Sequence, residues 1–94
     1  MGETMRITAE ISLYPLRDDY ISAVQSFIRV LHDQPGIEIR VNQMSTQLTG
    51  ELRDVSRAVE RTLEKSFESG SPQALVAKYL NADLPLDEPP DLGT

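Results

Sequence analysis

The chain of 94 residues has no cysteine and a single histidine, His32. Without cysteine there is no disulfide framework, no thiol nucleophile and no thiolate-bound zinc or iron–sulfur centre. One imidazole likewise leaves no histidine cluster for a metal, and no metal site is expected. Basic residues are scarce too. Nine Lys and Arg against fifteen Asp and Glu give a net charge of -6, the wrong sign for a partner whose phosphates need clustered cations, so no nucleic acid is expected. No apolar run approaches the roughly 18 residues of a membrane span, so no membrane partner is expected either. The opening "MGETMRITAE" lacks the apolar stretch and cleavage site of a signal peptide. A cytoplasmic protein is the expectation.

What is present is strongly periodic. In "MRITAEISLYPL", Ile7, Ala9, Ile11 and Leu13 fall on one face and Thr8, Glu10, Ser12 and Tyr14 on the other. Period two over eight residues predicts a half-buried strand, closed by Pro15. "DDYISAVQSFIRVLHD" then changes period: Ile21, Val24, Ile28 and Leu31 recur at three- and four-residue steps. Asp18 or Asp19 caps this helix, and Pro35-Gly36 ends it. "IEIRV" and "MSTQLTGE" read as two more strands, with Asn42-Gln43 as a tight hairpin between them. "ELRDVSRAVERTLEKSFESG" predicts a second helix with Leu52, Val55, Val59, Leu63 and Phe67 on its inner stripe and Gly70 just past its end. "QALVAKYLNA" is the last strand. From Leu84 the Pro- and Asp-rich "LPLDEPPDLGT" is expected to be a disordered acidic tail, leaving residues 5–83 as a single domain.

The order β-α-β-β-α-β with right-handed crossovers gives an α+β, ferredoxin-like fold. Its four-stranded antiparallel sheet has both helices on one face and the first and third strands in the centre. Val76 and Leu80 then lie on the uncovered face. A homodimer or homotetramer, paired through that face or through edge strands, is the expected partner state.

Catalytic machinery is hard to find. His32 falls in the last turn of the first helix, where a cation meets the helix dipole favourably. Asp18-Asp19 is explained by capping, and Arg57, Arg61 and Lys65 beside Glu60, Glu64 and Glu68 by a solvated, salt-bridged face. No Gly-rich phosphate loop occurs, and no catalytic residue is assigned; the chain is expected not to be an enzyme. Among other uses of this fold, an RNA-recognition surface needs aromatics on a basic sheet, and a metallochaperone needs a CxxC pair. Small-molecule binding and plain oligomerisation survive.

"EISLYPLRDDYI", then "MSTQLTGELRDV", then "YLNADLP" together resemble the YKOF-like family of thiamine- and hydroxymethylpyrimidine-binding proteins, over roughly residues 5 to 85. The most specific pieces are Ser12-Leu13-Tyr14-Pro15-Leu16 and Met44-Ser45-Thr46 with Gly50 and Glu51. Arg17 stands where relatives often have Gly, and Asn42-Gln43 where they often have Gly and Pro. Some members carry two such domains in tandem and this chain carries one. The resemblance implies non-catalytic binding of thiamine or its hydroxymethylpyrimidine moiety, as ligand rather than cofactor, in supply or transport of that precursor.

Small residues at Ala9, Thr46 and Ala77 leave room beneath the helices, to be filled by Phe27 and Phe67 or left as a cavity. An aminopyrimidine needs an apolar slot, an aromatic wall and a few edge donors and acceptors. The expected ligand-binding residues are Ser12, Tyr14, Met44, Ser45, Thr46 and Tyr79. Glu10 or Glu51 is expected to offset a thiazolium charge. Strict alternation puts Thr46 on the helix side and Ser12, Ser45 and Gln47 on the open side, so one ligand reaches both only at a strand end or a bulge. Two alternatives stand beside this reading: a regulatory domain of the ACT type binding an amino acid, and an oligomerisation module with no ligand.

Overall fold

The structure, a computed structural model, describes residues 5–16 and 18–93. Arg17, singled out above, lies outside the described residues. Six elements follow in order: β1 (Arg6–Pro15), α1 (Tyr20–His32), β2 (Ile37–Val41), β3 (Thr46–Glu51), α2 (Leu52–Phe67) and β4 (Gln73–Leu80). The sheet order is β2-β3-β1-β4 with every neighbouring pair antiparallel. This is the ferredoxin-like arrangement, with β1 and β3 central as the connection rules require.

Alternation along β1 decides which face is covered. Ile7, Ala9 and Ile11, with Leu48 of β3, pack against Phe27 and Leu31 of α1 and Val55, Ala58 and Val59 of α2. The inner stripe of α2 differs from the predicted one. Its buried residues are Val55, Ala58, Val59 and Thr62, while Phe67 is 47% exposed. Each four-residue step overshoots a full turn by about 40°, so the ladder from Val59 through Leu63 to Phe67 rotates out of the core. Of the two phenylalanines expected to fill the interior, Phe27 does so and Phe67 does not.

The helices pack mainly over β1, β3 and β2 rather than over β4. Ala77 faces the helix side, being opposite Ile11, yet it is exposed. Ala9 and Thr46 are buried as expected. β4 is thus an edge strand that is thinly covered on both faces, with Val76 and Leu80 exposed on the open side.

The β2–β3 connection is longer than a two-residue hairpin. Pairing stops at Val41 opposite Thr46, and the Asn42 N–H donates to the Ser45 carbonyl at 2.8 Å. Met44, expected in the strand, therefore sits in the turn and is 90% exposed. At the other end of this hairpin two glycines meet. Gly36 has φ +82°, and a Cβ on Gly50 would lie 2.7 Å from the Gly36 carbonyl oxygen.

Beyond β4 the chain turns back onto β1. The Thr8 hydroxyl donates to the Ala82 carbonyl and accepts from the Leu84 N–H, both at 2.8 Å, and Arg6 pairs with Asp83 at 2.8 Å. The boundary expected between 83 and 84 falls inside this anchored turn. Thr8 and its cross-strand neighbour Thr49 are buried on the otherwise open face. From Pro85 to Gly93 the chain forms no helix or strand. Among the described residues no helix is long and apolar enough to cross a membrane.

Candidate functional site

A cleft of about 180 Å³ opens where the end of β1 meets the β2–β3 turn beneath α1. Its apolar walls come from Ile11, Leu13, Val24, Phe27 and Ile28, and its polar rim from Ser12, Asn42, Gln43, Ser45 and Thr46. Tyr14, Val41 and Met44 complete it. The register explains this gathering. Ile11 lies opposite Thr46, so Ser12 to Tyr14 run on past the start of β3 and face the turn that precedes it. The turn folds Ser45 over the strand end, and side chains from both faces of the sheet reach one space.

The polar atoms on the rim are partly held in place. The Ser12 hydroxyl donates to the Met44 carbonyl at 3.4 Å. The Ser45 hydroxyl donates to Glu10 Oε2 at 2.9 Å, and Lys78 Nζ lies 2.9 Å from Glu10 Oε1. These contacts hold the Glu10 carboxyl below its ordinary range, first through the hydrogen bond from Lys78 and then through that from Ser45. Thr46 is buried at the helix side of the cleft, between Ile11 of β1 and Val41 of β2.

Five of the six expected binding residues, Ser12, Tyr14, Met44, Ser45 and Thr46, line this one cleft. Tyr79 does not. It sits opposite Ala9 on β4, five residues from Ala74, the partner of Tyr14, which is roughly 16 Å along the strand. Glu51, one of the two carboxylates considered, lies at the far end of β3 opposite Arg6. Its Oε2 is buried with no hydrogen-bond partner. Glu10 is the nearer of the two, linked to the rim through Ser45. In sequence, Asn42 and Gln43 carry only a turn signal, and Val24 and Ile28 only that of a core stripe. All four line the cleft, and their polarity and helical spacing carry no mark that distinguishes lining from turn or core.

None of the residues lining the cleft is charged. The site therefore offers an apolar slot, the Phe27 ring and neutral donors and acceptors at its edge, with charge one residue away at Glu10. A cavity of about 150 Å³ takes a benzene ring, so this one accommodates a single substituted six-membered ring rather than a two-ring molecule in full.

Phe27 has a second neighbour. Another cleft, about 190 Å³, lies between α1, α2 and the start of β4, and Phe27 lines it as well.

Solved structures share this fold. A domain of unknown function from Bacillus cereus superposes with a TM-score of 0.73 at 22% identity, covering 89% of this chain and 86% of that one. A Streptococcus pneumoniae protein gives 0.76 at 20% identity, covering 85% and 90%. A Thermotoga maritima protein, described as a proposed thiamine biosynthesis/salvage protein, gives 0.74 at 14% identity, covering 87% and 91%. None of the curated proteins matches the chain significantly in sequence. The YKOF-related family matches residues 6–79, nearly the whole span from β1 to β4, and the chain belongs to that family.

Proposed function

We propose that this protein binds the hydroxymethylpyrimidine moiety, free or as part of thiamine, in the cleft between β1, the β2–β3 turn and α1, without turning it over. The observation that carries this reading is the uncharged lining. An aminopyrimidine is a flat, neutral, heteroatom-edged ring, and the cleft presents an apolar slot with hydroxyl and amide groups along one edge. An amino acid ligand, as in the ACT-type reading, brings an ammonium and a carboxylate. Each is best met by an opposite charge, and none of the residues lining this cleft carries one. Membership of the YKOF-related family supports the same direction, as does the name carried by the Thermotoga neighbour. In thiamine, the pyrimidine would occupy the cleft, and Glu10, tied to the rim through Ser45, is the nearer of the two carboxylates considered for the thiazolium.

The protein acts in this reading as a carrier or supply component in the cytoplasm and needs no cofactor. It works as a homo-oligomer. Support for self-association comes from β4, whose outer edge has no strand partner among the described residues and whose Val76, Tyr79 and Leu80 are exposed. Calorimetric titration with hydroxymethylpyrimidine and, separately, with thiamine tests the proposal. Saturable binding at about one ligand per chain supports it. A folded protein that takes up neither ligand refutes it and leaves the oligomerisation module as the reading.

A further inference from the structure

The second cleft has a chemistry opposite to the first. It is lined by Ala23, Ser26, Phe27 and Val30 of α1, by Thr62, Lys65 and Ser66 of α2, and by Ser69 and Gln73 beyond it. No carboxylate lines it, although the chain as a whole carries a net charge of -6.

Its hydrogen-bonding groups are biased toward donation. Ser26 Oγ accepts from Arg29 Nη2 at 3.2 Å. Ser69 Oγ accepts from the Ser71 N–H at 3.3 Å and from Gln73 Nε2 at 3.5 Å. Both hydroxyls have thus used acceptor capacity and keep an O–H to donate. Ser66 donates to Gln73 Oε1 at 2.7 Å, and Gln73 Nε2 returns a bond to the Ser66 carbonyl at 3.0 Å, which fixes that corner. Thr62 is 0% exposed, and its hydroxyl is buried with no partner. Native proteins rarely leave such a group unpaired, and each instance calls for an explanation. Lys65 adds an ammonium that makes no ion pair among the described residues.

Two unspent serine hydroxyl protons and an ammonium border a space whose apolar walls are Ala23, Phe27 and Val30, with the unpartnered Thr62 hydroxyl buried behind them. We infer that this cleft is a second binding site, for a small organic carboxylate with a compact apolar body of about one ring. The carboxylate meets Lys65 and the serine hydroxyls, and the body packs on Phe27. This inference does not depend on the thiamine reading, because the two sites share one wall and no polar group.

The test is a two-dimensional amide NMR titration of the intact protein with sodium benzoate, and in parallel with benzamide, which has the same shape but no charge. The expected result is saturable shifts confined to residues 23–30, 62–69 and 73, with benzamide weaker by about fivefold, the worth of one exposed charge contact. Lys65→Gln should weaken benzoate by a similar factor. Thr62→Val keeps the side-chain shape and should weaken it as well. Scattered or non-saturating shifts overturn the proposal. Equal binding of benzoate and benzamide, or binding unaffected by Lys65→Gln, overturns the carboxylate assignment. Hydroxymethylpyrimidine added to the same sample should instead move Ser12, Ser45 and Thr46. Its failure to bind, with benzoate still bound, refutes the first site and leaves the second standing.

Discussion

Two buried threonines make a sharp test of the hydrogen-bond reading. Thr62 is fully buried in α2 with an unpartnered hydroxyl. Thr8 in β1 is 6% exposed, and its hydroxyl serves both the Ala82 carbonyl and the Leu84 N–H. Replacing either by valine keeps the branching and nearly the volume, so packing changes little. At Thr62 the change removes a desolvated hydroxyl that returns nothing, and it should stabilise the fold by about 1 kcal/mol. Thr and Val have nearly equal helix propensity, so that term does not interfere. At Thr8 the same change strands a carbonyl and an N–H and should cost about 1–3 kcal/mol. For a domain of this size each kcal/mol moves Tm by roughly 4–8 °C. Thermal and urea unfolding of the two variants should therefore shift in opposite directions, with unchanged urea m-values. The sites are on different elements and share no partner, so the double variant should be additive within about 0.5 kcal/mol. If Thr62→Val is neutral or destabilising, its hydroxyl is satisfied in solution, and the donor count argued for the second cleft fails with it.

Thr46→Val should lower hydroxymethylpyrimidine affinity by about 1 kcal/mol while the fold survives; unchanged affinity in calorimetry would assign Thr46 to the core alone. Gly50→Ala places a methyl 2.7 Å from the Gly36 carbonyl oxygen, a backbone atom that cannot swing aside, and should cost about 1–3 kcal/mol in urea unfolding. Gly70→Ala meets no atom nearby, so only its φ of +80° opposes it, and it should be the milder of the two. NMR titration of the Glu10 carboxyl should give a midpoint below that of an ordinary glutamate, because Lys78 and Ser45 bond the charged form. A depressed folded-state pKa contributes stability that is present above the unfolded value and lost as pH falls through the folded one. Lys78→Met should therefore raise the Glu10 midpoint and flatten the pH dependence of stability on the acid side.

The parts of the fold that could be read in advance are those set by local period. Alternation from Ile7 to Leu13 fixes the buried face of β1. The steps through Ile21, Val24, Ile28 and Leu31 locate α1 but not its buried face, which is Ala23, Phe27 and Leu31, with Ile21 60% exposed. The gathering of Ser12, Tyr14, Ser45 and Thr46 into one cleft was legible too, because they stand at strand ends that the topology brings together. What escaped depends on lateral placement. Whether Ala77 and Tyr79 are covered is decided by how far the helices reach across the sheet, and nothing in the period of β4 encodes that reach. Phe67 was lost to the slow rotation of a four-residue ladder. The tie between Thr8 and Leu84 joins residues 76 apart, and a threonine alternating on an open face gives no hint of it.

Phe27 is 4% exposed and forms a wall of both clefts. A ring in that position is a shared partition: in a close-packed interior, room it yielded on one side would be taken from the other. Were both clefts filled, their occupants would meet through this ring with no strand or helix having to move. By linkage, the factor by which either occupant alters its neighbour's affinity must be the same in both directions. Phe27 is the one lining residue that the two clefts have in common.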